Sequence, residues 1–358
     1  MTSSNTITIN SILPMSFRTR LTLLFLLFVF QSFLAFAQES SISTFVYHRF
    51  GDDRFPSTNI KLEQFEAHLK YLKDNDYEVL TLSEGLKRLK NRNRFPKTAI
   101  LTIDDGYKSF YENAIPLLKK YGFPATLFVN TETIGAGDFM DWPELKVAQE
   151  AGVEIGNHSH NHAYFLNHVI SEFEADLITS ELAFEANLGK IPTVFAYPYG
   201  EWSPQMAELL QRKGYIGAVA QNSGILYKEA PQFHLPRFPM SEAYAKLEDF
   251  VTKLKTLPLR VTKYEPISTG YLGTETKPRV NLEFQENNLK LDQLQCFVQG
   301  ADCKKSIQVV KDGLVKLSIR PDRDLNRRRT LMTITVPDSE GKWHWFSYLW
   351  VIPSIPEN

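Results

Sequence analysis

The chain has 358 residues, enough for two domains and an ample core. Hydrophobic residues make up 43% and charged residues 23%, a globular mixture that excludes a disordered or low-complexity chain. The formal net charge of −1 offers no basic surface, so no nucleic-acid partner is expected.

The N-terminus stands apart. Arg18 and Arg20 precede the apolar run LTLLFLLFVFQSFLAF, Leu21 to Phe36, which ends in Ala35-Phe36-Ala37. The run is short for a spanning helix, which needs ~20 apolar residues, and it closes on the small-x-small pattern of a signal-peptidase site. Residues 1–37 are therefore expected to be a signal peptide cleaved after Ala37. The mature protein is expected to be secreted or to reside in the periplasm or cell envelope.

From Ser43 onward short branched runs recur: 43–47, 78–82, 98–103, 125–129, 153–156, 193–197 and 215–220. Amphipathic stretches separate them. Leu62, Phe65, Leu69 and Leu72 share one helical face, as do Phe173, Leu177 and Phe184 ahead of Gly189, a residue suited to ending a helix. Helices also fit 108–121 and 203–213. Seven strands alternating with helices predict a parallel sheet, and at this size a (β/α) barrel. Beyond Pro258 the pattern changes to strands only, VNLEF, LVKLSI, LMTITV and HWFSYLWV, with PDSEGK (337–342) as a hairpin loop. The predicted organisation is a catalytic domain over 38–258 and a β-sandwich-like domain over 259–358. Cys296 and Cys303 are the only cysteines, and in an oxidising compartment they are expected to pair.

Chemistry gathers at the predicted strand ends. LTIDDGY runs a strand into two carboxylates, Asp104 and Asp105. Neighbours on a strand point to opposite faces, so the two can do different work: one ligates a metal while the other takes a proton. Either can also simply cap the next helix. GNHSHNH follows another strand and holds three of the eight histidines in five positions. His158 and His162 are four apart, a spacing that can bring both rings to one side, and neutral imidazole suits transition metals. His160 would point elsewhere. FAYPYGEW follows a third strand, where Pro198 and Gly200 make a tight turn able to offer backbone N–H groups to an oxyanion. His48 and Asn130 follow two more strands. In a (β/α) barrel this end is the face where active sites are built.

Together, residues 43–240 resemble the polysaccharide deacetylase family, the NodB-homology carbohydrate esterases. The opening STFVYHRFGDD and the phrase FEAHLKYLKDNDYEVLTL look like its extracytoplasmic branch containing the poly-N-acetylglucosamine deacetylases. The resemblance implies a distorted (β/α) barrel. It implies Asp104 as general base, and a divalent metal held by Asp105, His158 and His162, with Zn2+ first and Co2+, Ni2+ or Mn2+ as other candidates. It implies an oxyanion donor at the Tyr199 N–H, with His48, Pro198 and Arg237 lining the substrate site. Two departures stand out. Many family members carry arginine where Ala196 stands, to orient the base; Arg237 is the cation available instead. The family's late Leu-x-x-His motif has no match, and His234 is the nearest candidate for its general acid. The function implied is hydrolysis of N-acetyl groups on a cell-surface or exopolysaccharide amino sugar, with cell-envelope association and an oligomeric state left open. Two other functions fit: an O-acetyl esterase on xylan or peptidoglycan, and a carbohydrate-binding protein on a degenerate scaffold. The segment RPDRDLNRRR (320–329), with five arginines, reads as a solvated loop or a contact for an acidic surface. Trp343, Trp345 and Trp350 read as core or as glycan-stacking residues.

Overall fold

Seven strands form a curled sheet in a computed structural model that describes residues 41–266 and 275–357. The signal segment expected over 1–37 lies outside the described residues. The strands are β1 (Ser41–Tyr47), β2 (Glu78–Leu80), β3 (Thr98–Ile103), β4 (Ala125–Val129), β5 (Val153–Asn157), β6 (Val194–Ala196) and β7 (Gly217–Val219). The order β1-β3-β4-β5-β6-β7 is parallel throughout, and β2 pairs with the first half of β3. An added strand, β8 (Ile225–Tyr227), runs antiparallel to β1. The expected second strand, 78–82, is shorter than its apolar pattern. Thr81 leaves the sheet to cap a helix, where its side chain and that of Glu84 form a reciprocal capping box.

The sheet curls until a single segment spans the gap between its last and first strands. Leu235 N–H donates to Ala218 O, and Ala220 N–H donates to Leu235 O. Three residues on, Phe238–Pro239 pairs with β1, and Met240 N–H donates to Val46 O. The (β/α) barrel expected from the sequence is present, closed by this irregular segment rather than by a regular strand.

Both faces of the strands are buried, which is why β3 reads TAILTI without alternation. Ile42, Ile100, Phe128, Val194, Ala196, Val219 and Leu235 share one cluster with Leu86 and Leu89. On the opposite face Ala99, Leu101 and Ile103 pack with Phe65, Leu69 and Leu72 of helix α1 (Leu62–Asp74). Helices α2 (Leu82–Asn91), α3 (Ile115–Tyr121), α4 (Trp142–Glu150), α5 (Ile170–Leu188), α6 (Pro204–Arg212) and α7 (Leu247–Lys255) complete the layer. A one-turn π-helix, Phe110–Ala114, leads into α3. Helix α5 stops at Gly189, whose φ of 71° is the left-handed cap expected of it.

The chain leaves the barrel at Leu257–Pro258, which already pairs with a strand of the next layer. That layer holds β9 (Val261–Glu265), β10 (Val280–Gln285), β11 (Gln295–Val298), β12 (Cys303–Val309), β13 (Leu314–Pro321), β14 (Arg329–Pro337) and β15 (Trp343–Val351). One sheet runs β9-β10-β13-β12; the other places Leu257–Pro258 beside β15, β14 and β11. Leu282, Phe284 and Leu317 from the first sheet share a core with Met332, Ile334 and Trp350 from the second, so the two form a sandwich. Trp350 is fully buried there, whereas Trp343 is exposed. The hairpin at 337–342 is held by Asp338, whose side chain accepts from the N–H groups of Glu340 and Lys342. Cys296 and Cys303 form a disulfide that ties β11 in one sheet to β12 in the other.

One buried ionisable group in the α1 layer is set apart from the chemistry. His68 accepts from the Tyr47 hydroxyl at Nδ1 (3.1 Å), donates from Nε2 to Ala245 O (2.9 Å), and stacks on Phe250 at 4.0 Å. Both ring nitrogens are used by the neutral tautomer, and burial lowers its pKa to about 4. The unfolded chain, with histidine near its ordinary value of ~6.5, binds this proton first, so stability is lost as pH falls from ~6.5 towards ~4. The contribution is about 2 kcal/mol between pH 6.5 and pH 5. Urea unfolding of chelator-treated protein at those two pH values should show a loss of at least that size, and His68→Gln should reduce it by about 2 kcal/mol.

Candidate active site

Asp104 and Asp105 leave the C-terminal end of β3, and the backbone turns sharply behind them. Asp105 has φ 72° and Gly106 φ 76°. A Cβ on Gly106 would come within 2.6 Å of Val129, so glycine is required for space as well as for conformation. The turn splits the two carboxylates. Asp104 is 0% exposed, while Asp105 stays partly open.

The fully buried carboxylate of Asp104 meets a fully buried guanidinium. Arg237 Nη1 donates to Asp104 Oδ1 at 2.7 Å and Nη2 to Oδ2 at 2.8 Å. Its remaining donors go to Ala220 O (2.9 Å) and Thr102 Oγ1 (3.1 Å). Burial alone would raise the Asp104 pKa; the charges of Arg237, His158 and His48 outweigh it and hold the carboxyl below its usual range. Arg237 is thus the cation paired with Asp104, where Ala196 offers none. It is not a substrate contact as expected, because its side chain is 0% exposed and these four bonds occupy it.

Asp105 meets the histidine loop. Its Oδ1 lies 3.5 Å from His158 Nε2 and 3.5 Å from His162 Nε2, and the two Nε2 atoms are 3.2 Å apart. Metal–donor bonds of ~2.0–2.1 Å in a tetrahedron place donors about 3.4 Å apart, so this triangle has the dimensions of one face of a tetrahedral site. His158 Nδ1 donates to Ala196 O at 2.7 Å, which leaves the Nε2 lone pair facing the triangle. The residues fit a divalent ion. The charges are arranged to match: burial would raise the Asp105 pKa, but His158 and His48 pull it well below the carboxylate range. Burial opposes the His158 imidazolium, yet the two aspartates raise its pKa; burial and His158 together lower His162 to about 4. The three groups favour a positive charge at their centre.

The loop is braced from outside. Asp176 of α5 accepts from the N–H groups of His160 (2.8 Å) and Asn161 (2.9 Å). Asn157 accepts from Ser159 N–H at 2.8 Å and donates to Ser180 and Tyr215. His162 N–H donates to Ser159 Oγ. His160 turns away from the triangle to Thr131 Oγ1 (2.9 Å), as expected. Neither Asp176 nor Asn157 was singled out by sequence; a carboxylate in mid-helix, amid apolar residues, is the one signal that marked Asp176.

The third motif follows β6. Pro198 is buried and opens a 3-10 turn through Gly200; Tyr199 sits at φ 59°. The Tyr199 ring lies 4.5 Å from that of His162, so the turn borders the triangle. Among the described residues, seven other than glycine have positive φ, and four of them (Asp105, Ser159, His162 and Tyr199) are here. Such conformations persist only where the surroundings over-determine them, and they cluster at functional sites. His48, at the end of β1, acts through its charge on Asp104, Asp105 and His162.

Residues 91–218 match the family model for polysaccharide deacetylase. Over that segment the chain is similar to polysaccharide deacetylases. It is 28% identical over 216 residues to a poly-beta-1,6-N-acetyl-D-glucosamine N-deacetylase of Staphylococcus aureus, covering 56% of this chain and 74% of that protein. Its fold is similar to that of the deacetylase PplD of Streptococcus pyogenes, with a TM-score of 0.57 at 22% identity over 61% of this chain and 99% of the other. IcaB from Ammonifex degensii gives a TM-score of 0.55 at 23% identity, over 61% and 98%.

His234 is not brought to the Asp105-His158-His162 triangle. Leu235 and Arg237, one and three residues after it, face the barrel interior, so its ring faces outward. It stacks on Trp202 at 4.1 Å and bonds the Tyr264 hydroxyl of the sandwich at 2.6 Å. Burial alone lowers its pKa, to about 4, with no acidic neighbour contributing. The general-acid role expected for it has no geometric support.

Two outcomes are expected here. Arg237→Ala leaves Asp104 buried and unpaired, so urea unfolding should show a loss of about 3–5 kcal/mol. In competition with a chromophoric chelator, alanine at His158, His162 or Asp105 should each weaken Zn2+ binding at least tenfold. His160→Ala should leave it unchanged.

Proposed function

We propose that residues 38–258 form a secreted, metal-dependent polysaccharide N-deacetylase, and that 259–358 form an accessory domain. The reading makes the protein a hydrolase of the acetamide bond of an amino-sugar polymer, with release of acetate. One observation carries it: an ionised, buried carboxylate held by Arg237 stands next to a triangle of metal donors at the same strand ends. The likeness to the staphylococcal enzyme favours poly-β-1,6-N-acetylglucosamine as the polymer. The N-terminal apolar run with its Ala-Phe-Ala end supports export, and no helix among the described residues is long and apolar enough to cross a membrane.

Asp105, His158 and His162 would hold the ion, for which the nitrogen-rich donor set suits Zn2+. When bound, the ion supplies a Lewis acid and lowers the pKa of water. Asp104 accepts the proton of the attacking water. Arg237 keeps it ionised and fixes both its oxygens, which leaves the remaining lone pairs as acceptors of set direction. A depressed pKa makes Asp104 a weaker base, so it relies on the acidified water for driving force. The Tyr199 N–H donates to the oxyanion as the carbonyl carbon becomes tetrahedral. The departing amine needs a proton. With His234 facing away and His158 and His162 committed to the triangle, His48 is the imidazole left at this end of the barrel to provide it.

Purified mature protein should release acetate from poly-β-1,6-N-acetylglucosamine. Chelator should abolish release and added Zn2+ restore it. Asp104→Asn should lower kcat about 10²- to 10⁴-fold with the metal still bound. His48→Gln should depress turnover of N-acetylated substrates more than of O-acetylated ones, since an alkoxide leaves with less help than an amide nitrogen. His234→Gln should change kcat by less than about threefold. Release from acetylxylan or O-acetylated peptidoglycan alone would make the protein an O-acetyl esterase. Glycan binding with bound metal and no turnover would make it a binding protein.

A further inference from the structure

The arginine run in the sandwich domain is exposed at Arg320, Arg323 and Arg327, but not at Arg328. Arg328 is 4% exposed. Its Nε and Nη2 donate to Glu201 Oε1 and Oε2, both at 2.7 Å, across the boundary between sandwich and barrel. Its Nη1 donates to Pro353 O at 2.7 Å and its Nη2 to Asn167 Oδ1 at 3.0 Å. Its guanidinium lies 4.2 Å from the Tyr164 ring centre, and Tyr164 stacks on Tyr199 at 3.9 Å and 10°. Arg329, the first residue of β14, donates from Nη1 to Tyr199 O at 3.3 Å and lies 5.1 Å from the centre of the Tyr199 ring. Glu357 pairs with its Nη2 at 2.7 Å.

We propose that the sandwich completes the active site, with Arg328 and Arg329 as positioning residues for the turn Tyr197–Trp202. The proposal rests on the deacetylase reading for the role of the Tyr199 N–H, but its geometry does not. The turn carries consecutive left-handed residues, Tyr199 at φ 59° and Gly200 at φ 72°. Within the barrel it is tied at Tyr197, through the Tyr197 N–H to Val219 O and the Tyr197 hydroxyl to Phe233 O. Its far side, Tyr199 to Glu201, is held by the two arginines. A bidentate buried pair anchors the Glu201 side chain, and a charged donor on the Tyr199 carbonyl holds the Tyr199–Gly200 peptide, next to the one that carries the Tyr199 N–H. A buried ion pair contributes little net stability over an apolar contact of the same shape; what it supplies is a single geometry. An oxyanion donor needs that, because a displacement of ~1 Å costs about 10²-fold in rate. Arg328 and Arg329 act through the turn and touch no reacting atom.

The test uses the full mature chain with Zn2+ bound, in Arg329→Ala, Arg329→Lys and Arg328→Lys, with the exposed Arg327→Ala as control. Three quantities are read: kcat and KM for acetate release, Zn2+ stoichiometry, and hydrogen–deuterium exchange of peptides covering 197–202. Arg329→Ala should lower kcat about 10- to 100-fold with KM within about threefold, and speed exchange in the turn about tenfold or more. Zn2+ should stay bound and exchange elsewhere in the barrel should not change. Arg329→Lys should recover part of both effects, and Arg328→Lys, which cannot form the bidentate pair, should shift both in the same direction as Arg329→Ala. Unchanged exchange in the turn overturns the proposal. So does a raised KM at unchanged kcat, which would make Arg329 a substrate contact. If the unmodified protein releases no acetate, the deacetylase reading fails, and exchange in the turn still decides whether the arginines position it.

Discussion

Burying an ionised carboxylate without a partner costs several kcal/mol, and much of this molecule is arranged around meeting that cost at Asp104. The partner, Arg237, sits on the segment that joins the last strand of the barrel to the first. Closing the barrel and neutralising Asp104 are therefore the same event. Leu235 and Phe238 bring apolar side chains to the two faces of the seam, and Arg237 between them brings the charge inward. A regular strand there was not required; a chain that could hydrogen-bond to both β7 and β1 was enough.

The neighbouring carboxylate shows the opposite solution. Asp105, one residue on and turned by a positive φ, keeps partial exposure and faces two imidazoles. Adjacent residues of one type become chemically distinct because one points into the protein and the other into the pocket. The cost is local backbone strain, repeated in the histidine loop and in the Tyr199 turn. Each strained loop is braced from a separate element: Gly106 and Val129 behind the aspartates, Asp176 and Asn157 around the histidines, Arg328 and Arg329 beside the tyrosine. The braces lie outside the motifs, and they are what makes the motifs rigid.

His234 illustrates how an expected role can fail on direction alone. Its position in the chain is three residues from Arg237, at the correct end of the barrel. Alternation along the closing segment turns it outward, and Trp202 and Tyr264 take its ring. That same outward face is where the sandwich packs. Trp202, His234, Tyr264 and Trp345 line a cavity of about 170 Å³ between the two layers.

Much of this was legible in the linear chain. The strand runs, the amphipathic face Phe65-Leu69-Leu72, the stop at Gly189 and the placement of DDG, HSHNH and YPYG after strands all follow from periodicities of two to four residues, and local geometry enforces these wherever the chain goes. The strand ends in turn name the face on which chemistry gathers. Which distant groups meet there is another matter. Arg237 and Asp104 are 133 residues apart, and Arg328 and Glu201 are 127 apart. A cation in the sequence carries no mark of the carboxylate it will face, and five arginines in ten residues look solvated until one of them, Arg328, is buried and Arg329 half-buried. The sequence by itself determined the barrel and the carboxylates and histidines gathered at its strand ends; the tertiary structure alone decided what orients them, because burial and long-range pairing are properties of the closed fold and not of any segment within it.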